Sequence, residues 1–205
     1  MAKDINRSLV LVDFDGTITT HDSFFRFIIF YHPIWLLMMR AIPCGIFFLM
    51  FKIGLVTNSA AKEKIFSILF KGEPINEFED KCAKFAATEI PRILSSAAMH
   101  RLEKHRQNSD RIIVVSASIK NYLTHFCQRE HFELISTEIE VKNSLVTGRF
   151  KTPNCYGSEK VSRVRTYVNL NDYESITAYG DSQGDQPMLN LASQPAHPLA
   201  SLPKI

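Results

Sequence analysis

The sequence predicts an α/β protein: a Rossmann-like, doubly wound parallel sheet with an all-helical cap inserted after its first strand. Three observations predict it. Residues 9–12 (Leu-Val-Leu-Val) form a continuous apolar run without alternation, the pattern of a strand buried on both faces. From Arg111 onward, short apolar runs alternate with helical stretches, which gives strands joined by crossover helices. Between the two lies a long block with helical spacing throughout. The core is therefore expected over residues 1–20 and 108–205, and the cap over 21–107.

The bulk numbers agree with a globular chain. Of 205 residues, 45% are apolar and 22% charged, an ordinary soluble composition. A net charge of +3 is too small to point to nucleic acid. Cys44, Cys82, Cys127 and Cys155 show no C-x-x-C spacing, so neither a zinc site nor a disulfide framework is indicated. Reduced thiols and a cytoplasmic location are the expectation. The polar start, M-A-K-D-I-N-R, predicts no signal peptide.

The first strand stops on Asp13-Phe14-Asp15-Gly16. Two carboxylates at the C-terminal end of a buried strand sit where open α/β sheets place ligands. Such a pair is costly unless a cation neutralises it, and Mg²⁺ is the usual one. Gly16 permits a tight turn and a close approach to a ligand. A calcium loop is excluded, since it needs a third acid before the Gly, a later Glu and a preceding helix. An ordinary Asp-Gly turn stays open on this stretch alone.

Residues 24–56 are dense in Phe, Ile, Leu and Met, interrupted by Arg26, His32-Pro33, Arg40, Pro43 and Lys52. The runs free of Lys and Arg (27–39 and 41–51) fall short of the roughly 20 residues that span a bilayer. Pro33 and Pro43 cut them further. Helices with proline-marked joints and no transmembrane segment are expected. Further helices are predicted over 59–70, 75–85 and 89–107. Residues 24–71 hold six basic side chains and one acid. Basic residues among exposed apolar ones mark a membrane-surface face or a site for an anionic amphiphile. The expectation adopted is instead a packed helical lid with a basic rim, because such a lid must bury its apolar faces.

The second half returns to α/β. Residues 112–115 form a strand ending in Ser116-Ala117-Ser118, followed by a helix over 120–130 and a strand over 132–136. Residues 138–141 and 145–150 read as a hairpin. A Gly-Ser-Glu-Lys turn places Lys160 at the start of a helix reaching about residue 168. Residues 176–179 form a strand ending in Gly180-Asp181-Ser182-Gln183-Gly184-Asp185, with a helix from Pro187. After Leu191 the tail with Pro195, Pro198 and Pro203 leaves room for only a brief fifth strand. Parallel strands deliver Asp13, Asp15, Ser116, Ser118, Asp181 and Asp185 to one edge, with Lys160 between. Carboxylates around a cation, with a Lys and a hydroxyl, suit a phosphoryl group that one carboxylate attacks.

In that order, D-F-D-G-T, the Ser after a hydrophobic strand, the Lys, and G-D-S-x-x-D resemble the four motifs of the haloacid dehalogenase superfamily. The helical insertion after the first motif, with V-V-S-A-S, G-S-E-K-V and G-D-S-Q-G-D-Q-P-M-L, resembles its subfamily IB, the phosphoserine-phosphatase-like branch. The resemblance implies that Asp13 is a nucleophile forming an aspartyl-phosphate and a Mg²⁺ ligand. It makes Asp15 the general acid and base, with its backbone carbonyl on the metal. Ser116 is expected to hydrogen-bond the phosphoryl oxygens, and Lys160 to hold nucleophile and phosphate. Asp181 is implied as a metal ligand, and Asp185 as a second acid ordering a metal-bound water or Lys160. Gly16, Asp22 and Ser118 are expected on the substrate side, and Ser118 is also expected to cap the next helix.

Two departures bear on substrate. Gly184 stands where phosphoserine phosphatases carry an Asn that helps hold phosphate, and Asp22 stands where they carry a substrate-recognising Glu. The cap is also far more apolar, like that of subfamily members that dephosphorylate phosphatidylglycerophosphate. The expectation is a Mg²⁺-dependent phosphomonoesterase acting on a small phosphorylated metabolite. A lipid-phosphate phosphatase at a membrane surface and a phosphotransferase are the alternatives. A non-catalytic phosphate-binding module would be expected to have lost an acid, and all four are present.

Overall fold

The computed structural model describes residues 8–193. Four parallel strands form the central sheet: β1 (Ser8–Val12), β2 (Arg111–Ile119), β3 (Glu133–Thr137) and β6 (Ser175–Tyr179), in the order β3-β2-β1-β6. β1 lies between two partners, with Val10 opposite Ile112 on one side and Thr177 on the other. Every apolar residue of β1 is fully buried, as its unalternating run requires. Leu9 and Leu11 face one layer with Ile113, Val115, Val164 and Met188, while Val10 and Val12 face the other. The expected α/β class is the observed one.

Between β1 and β2 come α1 (Ser23–Tyr31), α2 (Ile34–Lys52), α3 (Asn58–Phe70), α4 (Ile75–Thr88), α5 (Ile90–Ile93) and α6 (Ser96–Gln107). Their packed part is aromatic: Phe27 lies 5.2–5.7 Å from the rings of Phe70, Phe78 and Phe85. The single helix expected over 89–107 is two. Ser95 Oγ accepts from Ala98 N–H and caps α6, while Ser95 N–H donates to Ile18 O across the chain. That tertiary contact sets the break.

α2 departs further from expectation. Pro43 lies inside it, and the helix runs unbroken for 19 residues, long and apolar enough by length and composition to cross a bilayer. Among the described residues it is the one helix that passes that test. The joint at His32-Pro33 is present, with Pro33 preceding the helix. The packed lid expected over 24–71 holds for α1 and α3, which bury Phe24, Phe27, Phe66 and Phe70, and fails for α2, which contains no buried residue. One stripe (Leu37, Arg40, Cys44) turns toward the packed helices, and Arg40 donates to Leu69 O at 2.7 Å. The opposite stripe leaves Trp35 at 61%, Met38 at 71% and Ile42 at 75% exposure.

After β2 follow α7 (Lys120–Glu130), β3, the antiparallel hairpin β4 (Ile139–Lys142) and β5 (Leu145–Phe150), α8 (Ser158–Tyr167), β6 and α9 (Gln186–Leu189). The hairpin leans on the helical block: Gly72 N–H donates to Val146 O, and Val146 N–H to Glu73 O. Gly148 sits at φ +81°, and a side chain there would collide with Ser67. All four cysteines are free thiols. The polar N-terminal heptapeptide and the brief strand expected in the proline-rich tail lie outside the described residues.

Candidate active site

The C-terminal ends of β1, β2 and β6 meet where the sequence places its polar clusters. Asp13 N–H donates to Tyr179 O at 2.9 Å, extending the β1–β6 ladder by one residue before the chain turns. Phe14 anchors that turn, buried edge-on against Phe126. Its carbonyl accepts from the Ile18 and Thr19 N–H groups at 2.9 Å. Gly16 takes φ +78°, and a Cβ there would overlap the Asp181 carboxylate, so both conformation and space demand glycine.

Lys160, in the first turn of α8, is 2% exposed and ties the ends together. Its Nζ donates to Asp13 Oδ1 at 2.5 Å and to Asp185 Oδ1 at 2.6 Å. Burial opposes the ammonium charge, but the two carboxylates outweigh it and hold the Lys160 pKa above its ordinary value. Burial likewise opposes the Asp185 carboxylate, and Lys160 reverses that to hold its pKa low. Asp185 Oδ2 accepts from Ser182 Oγ at 2.6 Å and Ser182 N–H at 3.0 Å. Burial pushes Asp13 up to about 7, with Asp185 and Asp15 adding to the rise and Lys160 opposing it.

Asp13, Asp181 and Asp185 each offer an oxygen within 4.8 Å of the others. Three hard donors, with no His or Cys among them, suit a cation such as Mg²⁺. One lysine leaves Asp13 short of compensation, and a divalent charge beside it would draw its pKa back down. The donor set therefore fits the metal.

Asp15 lies apart from that cluster. Its Oδ1 accepts from Ser23 N–H at 2.7 Å and its Oδ2 from Ser118 Oγ at 2.5 Å. Burial, with Asp22 second, raises its pKa. Ser118 is thus corrected twice. It is fully buried against Asp15 rather than lining the cavity, and it does not cap α7, whose N-terminus has no side-chain cap. Ser116 lines the cavity, and its Oγ accepts from Ser118 N–H at 3.0 Å. Asp22 reaches the cavity edge, but its carboxylate caps α1 by accepting from Phe25 N–H at 2.7 Å.

The cavity above these groups measures about 480 Å³. Asp13, Lys160 and Asp181 lie at one end, and Phe24, Phe48, Phe51 and Ile65 supply apolar wall. Two further lining residues escaped the sequence reading. Lys62 of α3 donates to Ala117 O at 2.9 Å and stands 4.9 Å from the Phe24 ring centre. Tyr156 sits beside Gly184 on the loop before α8. Lys62 was visible only as one basic residue among six, and Tyr156 only as the aromatic before a glycine turn.

Residues 10–190 match the family described as haloacid dehalogenase-like hydrolase. The chain is 28% identical over 190 residues to Protein CicA of Caulobacter vibrioides (strain NA1000 / CB15N), covering 91% of this chain and 83% of that one. A protein of unknown function from Bordetella pertussis Tohama I shares the fold at a TM-score of 0.78 and 22% identity, with 92% and 88% of the two chains covered. A phosphoserine phosphatase solved as a phospho-aspartyl intermediate analogue superposes at 0.57 with 18% identity, covering 90% and 82%. The chain belongs to the haloacid dehalogenase-like hydrolases.

Proposed function

We propose that this hydrolase is a Mg²⁺-dependent phosphomonoesterase that works through a phosphoryl group carried on Asp13. The observation that carries the reading is Lys160 bridging two carboxylates, with a third within 4.8 Å, at the end of β1. Asp13 and Asp181, with the Asp15 carbonyl implied by the family motif, would hold the ion. When bound, it neutralises charge on the phosphoryl oxygens and on Asp13. An Asp13 oxygen attacks phosphorus as the bond to the ester oxygen breaks, and Asp15 gives that oxygen its proton. The Asp15 carboxylate then takes a proton from water as the water oxygen attacks phosphorus. Phosphate leaves and Asp13 is restored. Lys160 and Ser116 hold the phosphoryl oxygens, and the helical cap excludes bulk water from the intermediate. Turnover of an aryl phosphate should require Mg²⁺, stop in excess chelator, and be blocked by beryllium fluoride seated on Asp13. Full activity in chelator, or an adduct on another residue, refutes the reading.

One observation favours a particular class of ester. α2 brings Phe48 and Phe51 to the cavity wall while its outer stripe stays uncovered. With Lys52 in its last turn and Arg26 on the preceding helix α1, such a helix suits an anionic bilayer surface. On this second reading the substrate is a lipid phosphate, taken at the cytoplasmic face of a membrane, in place of the small soluble metabolite first expected.

A further inference from the structure

Gly184 has no conformational reason to be glycine. It is absent from the residues with positive φ, so any side chain could adopt its backbone. What excludes a side chain is space: a Cβ at 184 would overlap Cε2, Cζ and Cδ2 of Tyr156. The Tyr156 ring therefore packs directly against the Gly184 backbone. A backbone bond fixes the two loops together, Gly157 N–H donating to Gly184 O at 3.0 Å. Gly157 itself, at φ +63°, turns the chain from Tyr156 into α8 and Lys160.

Tyr156 lines the same cavity as Asp13, Ser116, Lys160 and Ser182, and is 38% exposed. Five carboxylates (Asp13, Asp15, Asp22, Asp181 and Asp185) line the cavity beside donors that include Lys62, Lys160 and Ser116. Lys160 spends two of its three N–H groups on Asp13 and Asp185, and three carboxylates crowd the same end. A phosphoryl group brings only acceptors, so it needs further neutral donors there.

We propose that Tyr156 is a phosphate-contacting residue: its hydroxyl donates to an oxygen of the phosphoryl group beside Asp13 and Lys160, and Gly184 is glycine so that the ring can reach it. This rests on the phosphomonoesterase reading for the identity of the ligand, but it is tested without turnover. Orthophosphate binding to the full chain with Mg²⁺, measured by calorimetry, is the readout. Tyr156→Phe keeps the ring and should weaken binding about tenfold, the loss expected for a hydrogen bond to a charged group. Gly184→Ala should weaken binding when Tyr156 is present and add little in a Tyr156→Ala background, because the clash is then gone. Thermal melts of each variant separate misfolding from lost contact. Wild-type protein that fails to bind orthophosphate, a Tyr156→Phe affinity within twofold of wild type, or an equal Gly184→Ala effect in both backgrounds overturns the proposal. Phosphate binding that obeys these rules in a protein that hydrolyses no ester would sink the enzymatic reading and leave the contact standing.

Discussion

β1 and α2 are the two most apolar segments of the chain, and they meet opposite fates. β1 has a hydrogen-bonded strand on each side and a helical layer on each face, so Leu9, Val10, Leu11 and Val12 are wholly enclosed. α2 has the packed helices along one stripe and, among the described residues, nothing on the other, so Ile42 is 75% exposed. Apolar character alone does not decide burial; the number of neighbours an element can recruit does. The enclosed segment ends in the carboxylates, where low polarity sharpens charge. The uncovered one forms part of the approach to them.

The largest expected effect lies at the enclosed end. Asp13→Asn should fold normally and lose at least about three orders of magnitude in turnover, equivalent to roughly 4 kcal/mol of barrier. The measurement is kcat on an aryl phosphate, with circular dichroism as the folding control. An active Asn variant would mean that the end of β1 is not the working end of the molecule, and the contrast with α2 would lose its chemical half.

Much of that enclosed half was legible in sequence. Continuous apolar runs closed by polar clusters gave β1, the start of β2 and β6, because a strand buried on both faces has no other pattern. Asp13, Asp181 and Asp185 stood in those clusters and Lys160 at a glycine-led helix start, and the structure brings the four together. What stayed hidden depended on contacts between distant residues. Ser118 looked like a cap until the fold set it against Asp15, 103 positions away. Lys62 gained meaning only when α3 laid it over Ala117. Pro43 looked like a joint, yet a proline within a long helix removes one N–H donor without necessarily ending the helix. The exposure of α2 could not be read either, since the same composition serves a packed helix and an uncovered one.

A smaller effect sits at the joint between the two halves of the cap. His32, where α1 gives way to α2, is 6% exposed, and its Nε2 has no partner among the described residues. Burial, with Arg40 next, lowers its pKa to about 4, and Glu73 pulls weakly the other way. In the unfolded chain it takes its proton near 6.5. Between those values the unfolded state holds more protons, so this group makes stability fall as pH falls from about 6.5 to about 4 and leaves it level above. The slope cannot exceed about 1.4 kcal/mol per pH unit for one proton. Denaturant melts of wild type and His32→Phe across that window should differ by this slope. Parallel curves would show that the joint is open to water and belongs with α2 rather than with the packed helices.

The smallest expected change in stability, and the one that bears most on function, is on α2 itself. Met38→Gln and Ile42→Gln alter side chains at 71% and 75% exposure, so each should shift folding stability by no more than about 0.5 kcal/mol. The same substitutions in an enclosed position would be far costlier, since truncating a buried Leu alone costs roughly 2–5 kcal/mol. On the proposed lipid reading, stability and membrane binding should therefore separate on this helix. Wild-type protein should co-float with anionic vesicles, and raised salt should weaken that binding, because Arg26 and Lys52 each add about 1 kcal/mol near such a surface. The Gln pair should reduce co-flotation sharply while melting like wild type, because the apolar stripe provides the insertion and the basic residues provide the approach. A lipid phosphate presented in those vesicles should turn over faster than soluble esters. If α2 variants instead unfold the protein as core substitutions do, its outer stripe is packed in solution and the contrast with β1 disappears. If they leave vesicle binding untouched, or the wild type does not bind, the bilayer is not what covers the stripe and the soluble metabolite becomes the substrate class to pursue.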